Sequence, residues 1–358
     1  MNKNSTKNPR KIKVGKKFIG PEEPVFIIAE IGNNHNGDLN MAKKLIMEAA
    51  WIGADAVKFQ KRTLSEVFIQ DMLSRPQTSS RALGATYGEY RQKLEFNERQ
   101  LKELRKLAHS LGLIFFVAPF DLKSAAMLNN VRMDAWKIAS FDLTHMPLIE
   151  YIAQRKQPVF LSTGMAGEDE IDEAVNLILK HNDQLIINHC VSVYPTPDED
   201  LNLGAVETLI KKYSRFPIGY SGHEIGFTPT IVAVSLGAQV IERHFTLDKS
   251  LPGPDHATVS LDLAEFSEMI RQIRRIEKAV LDKKIYLHEK EIPHRQKHGK
   301  SLVARTAIPA GAKITAKMVC CKSPGYGMKA GLMKKLIGKK AKVDISADTV
   351  IKKEDVNW

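Results

Sequence analysis

Cysteine is scarce in this 358-residue chain, and the three present, Cys190, Cys320 and Cys321, are odd in number with two of them adjacent. That excludes a disulfide framework and points to free thiols in a reducing compartment. No apolar run approaches the roughly eighteen residues of a membrane span. The basic start MNKNSTKNPRKIKVGKK imitates the charged region of a signal peptide, but the apolar run behind it, VFIIA, is short and ends at Glu30. A cytoplasmic protein without a membrane partner is expected. Acidic residues are missing from residues 1–17, which hold seven basic ones, and scarce in residues 271–358, with eight against 22 basic. Residues 18–270 are acidic on balance, with 33 acidic and 24 basic. The basic C-terminal part carries only Tyr286, Tyr326 and Trp358 as aromatics, too few for a stacking platform. A nucleic-acid partner is therefore not expected, and the charge reads as a solvated or domain-contacting face.

What the chain does contain is rhythm. Eight short β-branched runs alternate with amphipathic stretches: 25–32, 56–60, 114–120, 135–140, 158–164, 185–191, 218–223 and 240–246. Eight strand–helix units in this length match a parallel (β/α)8 barrel, the TIM barrel. A doubly wound open sheet is the competitor, but no G-x-G-x-x-G follows the first strand. Beyond residue 285 a polar connector leads into short strands separated by turn residues, a small β-rich domain. The expected division is a basic tail over 1–20, a barrel over 21–284, a linker over 285–297 and the small domain over 298–358.

In such a barrel the chemistry lies at the C-terminal ends of the strands. Nearly every expected strand ends in polar residues: Glu30, then Lys58 and Gln60, then Lys137, Ser140 and Asp142, then Ser162, Ser192 and Tyr194, Ser221 and His223, and last Glu242 and His244. His223 and His244 end adjacent strands, so their imidazoles could share a divalent ion such as Mn2+, Zn2+ or Fe2+. Lys58 and Lys137 sit in otherwise apolar strands, where an unpaired ammonium is costly. An anionic substrate is one partner; a buried ion pair with Glu30 or Asp142 is the plainer alternative. The serine hydroxyls around them suit phosphate and carboxylate groups.

Several segments, FIIAEIGNNHNGDLNMAKKLI, GADAVKFQK, LSTGM, HCVSVYPTPDEDLNL, IGYSGHEIG, GAQVIERHFTLDKSLPGPDH and KSLVARTAIPAG, resemble the sialic acid (N-acetylneuraminate) synthase family, in family order from residue 26 to the C-terminus. The resemblance implies a (β/α)8 barrel followed by a SAF domain similar to type III antifreeze protein and of β-clip form, joined in a domain-swapped homodimer. It implies condensation of phosphoenolpyruvate with an N-acetylated hexose, N-acetylmannosamine first, to N-acetylneuraminate and phosphate. Products of related synthases, N-acetylneuraminate 9-phosphate, legionaminic or pseudaminic acid, are the alternative, and a non-catalytic carbohydrate-binding protein is a third reading. A divalent metal is implied, Mn2+ in the first place with Mg2+ or Co2+ behind it.

Residue by residue, His223 and His244 match the metal ligands. Lys58, Lys137, Ser140, Ser162 and Ser221 match phosphoenolpyruvate-binding positions, and Glu30, Gln60, Tyr194 and Asp255 match positions near the sugar or the metal-bound water. Asp142, where many bacterial members have Glu, is the candidate for steering water. Three departures stand out: Ala118 where relatives often have a phosphate-contacting Thr, Ser192 where some have Asn, and Lys300 where many bacterial members place an Arg that reaches the sugar across the dimer. Lysine cannot reproduce the planar fork of arginine at such a position.

Overall fold

The structure, a computed structural model, describes residues 10–79, 81–253, 255–280 and 284–358. The chain divides into two compact units, which part between residues 281 and 282.

The first unit opens with an antiparallel hairpin of β1 (Ile12–Val14) and β2 (Lys17–Ile19). Ile12, Val14 and Ile19 enter the main hydrophobic core, while Lys11 and Lys13 face outward on alternate positions. Residues 10–20, expected as a basic tail, are thus folded; the remainder of that tail lies outside the described residues. The hairpin's partners lie at or before the starts of barrel strands. Arg10 pairs with Asp183 and its backbone amide donates to the Arg215 carbonyl, Lys17 pairs with Asp55, and Gly15 lies against Ile114 and Asp134. It therefore crosses the N-terminal end of the barrel.

Eight parallel strands follow: β3 (Phe26–Gly32), β4 (Ala56–Lys61), β5 (Ile114–Pro119), β6 (Trp136–Ile138), β7 (Val159–Ser162), β8 (Leu185–Cys190), β9 (Ile218–Gly222) and β10 (Val240–His244). They close in sequence order, with β10 pairing back onto β3. Each is buried along nearly its whole length, as both faces of a parallel sheet must be when helices cover the outside. Inside, Phe26, Phe160 and Phe116 stack with centroids 6.2 and 5.1 Å apart. They come from β3, β7 and β5, the alternate-strand layer of such a barrel. The longest strand-to-helix connection, residues 62–97, follows β4 and contains the helix Tyr87–Lys93.

The second unit has its own small core, including Leu302, Ile308, Ile314, Val319, Leu336 and Ile351. Its strands pair antiparallel, β11 (Ser301–Ala304) with β12 (Val319–Lys322) and β13 (Lys340–Ala341) with β14 (Val356–Asn357). The expected linker 285–297 is not plain coil: a 3-10 turn at Glu289–Glu291 leads into the helix Ile292–His298. Its Pro293 lies in the first turn, where a missing N–H is harmless.

Candidate active site

The strand pattern places the site. On β4, Lys58 and Gln60 share one face, on β10 Glu242 and His244 do, and a period of two sends both pairs into the barrel mouth. There, a narrow cavity of about 40 Å³ is lined by Glu30, Lys58, Gln60, Lys137, Ser140, Ser162, Tyr194, Ser221, His223, Glu242 and His244, together with Phe120, Ala139, Phe141 and Cys190.

Both buried lysines are ion-paired. Lys58 Nζ lies 2.8 Å from Glu30 and 3.5 Å from Glu242, and Lys137 Nζ lies 2.9 Å from Glu242. Lys137 also donates to Ser162 Oγ at 2.6 Å, and Ser221 Oγ donates to Glu242 at 3.2 Å. The ion-pair alternative thus holds for Lys58 with Glu30, whereas Lys137 pairs with Glu242 and not Asp142. Burial works against the Glu242 carboxylate, but Lys137 and Lys58 overrule it and hold it at about 2. Glu30 moves the other way, because burial outweighs the help of Lys58 and the charge on Glu242 adds to the rise. Gln60 Nε2 donates to Glu30 at 2.7 Å.

His223 and His244 stand with ring centroids 5.5 Å apart, and Tyr194 lies over His223 at 4.0 Å. His223 Nδ1 is within 2.9 Å of the Val191 carbonyl, which leaves Nε2 free to ligate. His244 Nδ1 is buried and has no partner, and burial, with the nearby His223 and Lys58, holds that imidazole neutral. Two imidazoles, one of them held neutral with an orphaned nitrogen, fit a borderline divalent cation. Among the described residues no three His, Cys, Asp or Glu side chains converge, so a metal here would take its other ligands from water and substrate.

Behind the two histidines lies a clamp. Arg243 and Glu224, each the chain neighbour of one histidine, point outward from the barrel and pair at 2.5 Å with no solvent exposure. Thr230 donates to Glu224 at 2.6 Å and Tyr220 OH at 2.9 Å, and Arg243 Nη2 donates to the Glu224 carbonyl at 2.8 Å. The buried pair ties the end of β9 to β10 and so fixes the spacing of the imidazoles.

Other expected residues sit at the edge. Asp142, in the 3-10 turn Ser140–Asp142, does not line the cavity; burial pushes its carboxyl up to about 7, against the pull of Arg62. Ser192 lies beside Gly164, where an added Cβ would come within 2.4 Å of its hydroxyl, and it faces a separate pocket. Asp255 accepts from Asn33 at 3.4 Å, and burial raises its carboxyl. Lys300 belongs to the second unit and donates to Ser323 at 2.9 Å. Sequence reasoning marks Glu242 only as a strand-end polar residue, without a role, and misses Arg62, Arg243 and Glu224. For the last two a signal existed, since each charged neighbour of an inward histidine must point into the buried helix layer and find a partner there.

A closed barrel whose mouth holds paired lysines, serine hydroxyls and two imidazoles, followed by a small β-rich unit, defines a TIM barrel with its polar groups gathered where enzymes of this fold carry their chemistry. Residues 45–285 match the NeuB family and residues 299–357 the SAF domain; the chain belongs to the NeuB family, the sialic and related nonulosonic acid synthases. It is 37% identical over 342 residues to the N-acetylneuraminate-9-phosphate synthase of Homo sapiens, covering 95% of each chain. It is 38% identical over 331 residues to the N,N'-diacetyllegionaminic acid synthase of Campylobacter jejuni, covering 91% of this chain and 98% of that one. The solved sialic acid synthetase of Leptospira borgpetersenii superposes with a TM-score of 0.72 at 35% identity, covering 80% of this chain and 95% of the other.

Proposed function

We propose that this enzyme condenses phosphoenolpyruvate with an N-acetylated hexose, N-acetylmannosamine or a close relative, to a nine-carbon 2-keto acid and inorganic phosphate. The observation that carries the reading is the pair of buried lysines held on carboxylates at the mouth, with Ser140, Ser162 and Ser221 in the same cavity. Phosphoenolpyruvate brings a carboxylate and a phosphate, which take over the lysines and accept from the hydroxyls.

The enol carbon of phosphoenolpyruvate attacks the sugar aldehyde, forming the new C–C bond and leaving positive charge at C2. Water adds there, and the C–O bond to phosphate then breaks, giving the ketone. Glu30, released from Lys58 and held by Gln60, faces the developing positive charge. Asp142, with its carboxyl near 7, is poised to take a proton from water entering from its side. Gln60 and Tyr194 orient the sugar, joined by Ser192 and Asp255 at the rim. His223 and His244 would hold the divalent cation, Mn2+ before Mg2+ or Co2+, which when bound polarises the aldehyde oxygen.

The assembly proposed is a homodimer with exchanged SAF units, in which Lys300 serves the partner subunit's site, and the compartment is the cytoplasm. No described helix is long and apolar enough to cross a membrane. The test is phosphate release from phosphoenolpyruvate with Mn2+ and N-acetylmannosamine, its 6-phosphate or a 2,4-diacetamido hexose. Release with one sugar, abolished by EDTA, supports the reaction. Silence with all three in a folded, Mn2+-loaded protein overturns it in favour of a carbohydrate-binding role.

A further inference from the structure

The carboxyl of Asp142 has two unlike ends. Oδ1 lies 3.5 Å from His145 Nδ1, whereas Oδ2 is buried and has no partner among the described residues. The backbone fixes both residues: the Asp142 amide donates to the Ala139 carbonyl at 2.9 Å, and the His145 amide donates to the Asp142 carbonyl at 3.0 Å. Ser140 and Phe141, the two residues before Asp142 in its 3-10 turn, line the cavity at the mouth. From there the chain runs outward. Asp142 is 7% exposed, while the His145 side chain keeps 37% of its surface in solvent.

The other charges that act on Asp142 are engaged elsewhere. Arg62, on the long connection after β4, favours its carboxylate, but its Nη2 donates to Gln60 Oε1 at 2.8 Å and its guanidinium lies over the Phe120 ring. Asp121, after β5, opposes that carboxylate and accepts from the Thr63 amide at 2.8 Å and from Ser124. Among the described residues, His145 is the one ionisable side chain within ion-pair range of Asp142. Its imidazole has little to do for the fold. His145 precedes the helix Met146–Ala153 without giving it a side-chain hydrogen bond. An imidazole with one nitrogen toward a carboxyl and the other toward water can accept a proton on the first and release one from the second.

We propose that His145 is the positioning residue of Asp142 and its proton outlet: Nδ1 takes from Oδ1 the proton that Asp142 removes from the attacking water, and Nε2 releases one to solvent. This rests on the condensation and the role of Asp142 proposed above. Water forms the O–C2 bond and gives one proton to Asp142. Its second proton goes to phosphate as the C–O bond breaks and the electron pair stays on the phosphate oxygen. The sugar alkoxide takes a proton from solvent, which balances the one that His145 delivers, so one water is consumed and no net proton is made. Without His145 the proton stays on Asp142, and burial opposes the return to the carboxylate that the next turnover needs. The 3.5 Å contact is longer than a hydrogen bond, and contacts of this kind tighten when substrate fills the site.

The test follows phosphate formation from phosphoenolpyruvate, Mn2+ and whichever of the three sugars above the full chain uses, over the first and the later turnovers. His145→Gln should run its first turnover within about 2-fold of the unaltered rate and then slow by about 10- to 100-fold, with KM for both substrates unchanged. Imidazole added to the solution should raise the slow phase by about 5-fold or more, because it replaces the missing acceptor. A residue needed only for structure would slow every turnover alike and would not answer to imidazole. If His145→Gln does not fold, His145→Asn, whose amide can cap the following helix, gives the same readouts. An unchanged later rate, or a loss that imidazole does not restore, overturns the outlet and leaves the condensation standing. No phosphate release from the unaltered enzyme with any of the three sugars removes the condensation and the outlet together.

Discussion

The floor of the barrel mouth and the connection above it treat charge in opposite ways. On the floor every charge is answered: Glu30, Lys58, Lys137 and Glu242 form one chain of contacts, none longer than 3.5 Å. Above it, Arg62 and Arg91 each keep a buried Nη1 that nothing among the described residues accepts. Strands can hold a self-neutralised network because ladder hydrogen bonds fix their spacing, so substrate must exchange for an existing partner. The connection leaves its charge open, so a group arriving there would add a partner where on the floor it must displace one.

The comparison breaks most sharply at the lysines. Lys58→Met or Lys137→Met should lower kcat/KM for phosphoenolpyruvate by about 1000-fold or more, read by phosphate release; a loss below about 10-fold would mean that the floor does not bind the anion. His244→Ala should reduce tightly bound Mn2+ to under about a tenth of the unaltered protein's content, measured by elemental analysis after dialysis, because one of only two imidazoles is lost. Arg243→Met should leave Glu224 buried and unpaired and lower unfolding free energy by about 3–5 kcal/mol in urea. It touches neither the floor nor the connection, so unchanged sugar selectivity in this variant separates support from recognition.

Asp142 gives a smaller effect with a defined sign. Its carboxyl titrates at about 7 when folded against 3.8 ordinarily, so the folded state holds the proton more tightly. The stability this contributes is present below about pH 4 and is lost as pH rises through about 7. Asp142→Asn should therefore gain on the unaltered protein between those limits, by on the order of 3 kcal/mol at pH 8, and should lose any limb near 7 in the pH–rate profile. Persistence of that limb would remove Asp142 from the chemistry. Least of all, Lys102→Ala breaks an exposed pair with Glu98 and should shift the melting temperature by no more than about 1 °C.

All eight barrel strands were legible because each is an apolar, β-branched run, and a lysine or glutamate inside one stands out against it. The same contrast exposed the lysines, both histidines and Glu30. The partner of Lys137 was less visible: Glu242 reaches it only because β10 closes onto β3, and closure leaves no local mark. The hairpin was hidden by its own charge, since Ile12 and Val14 alternate with lysines that dominate any count.

The hairpin across the barrel base also orders events in time. It is the earliest described segment to be synthesised, yet its contacts include Asp55, Asp183 and the Arg215 carbonyl. On a ribosome, β1 and β2 must wait until most of the barrel has emerged before they can dock. The first piece made is among the last seated, so the base of the barrel is covered only after the strands it rests on are in place.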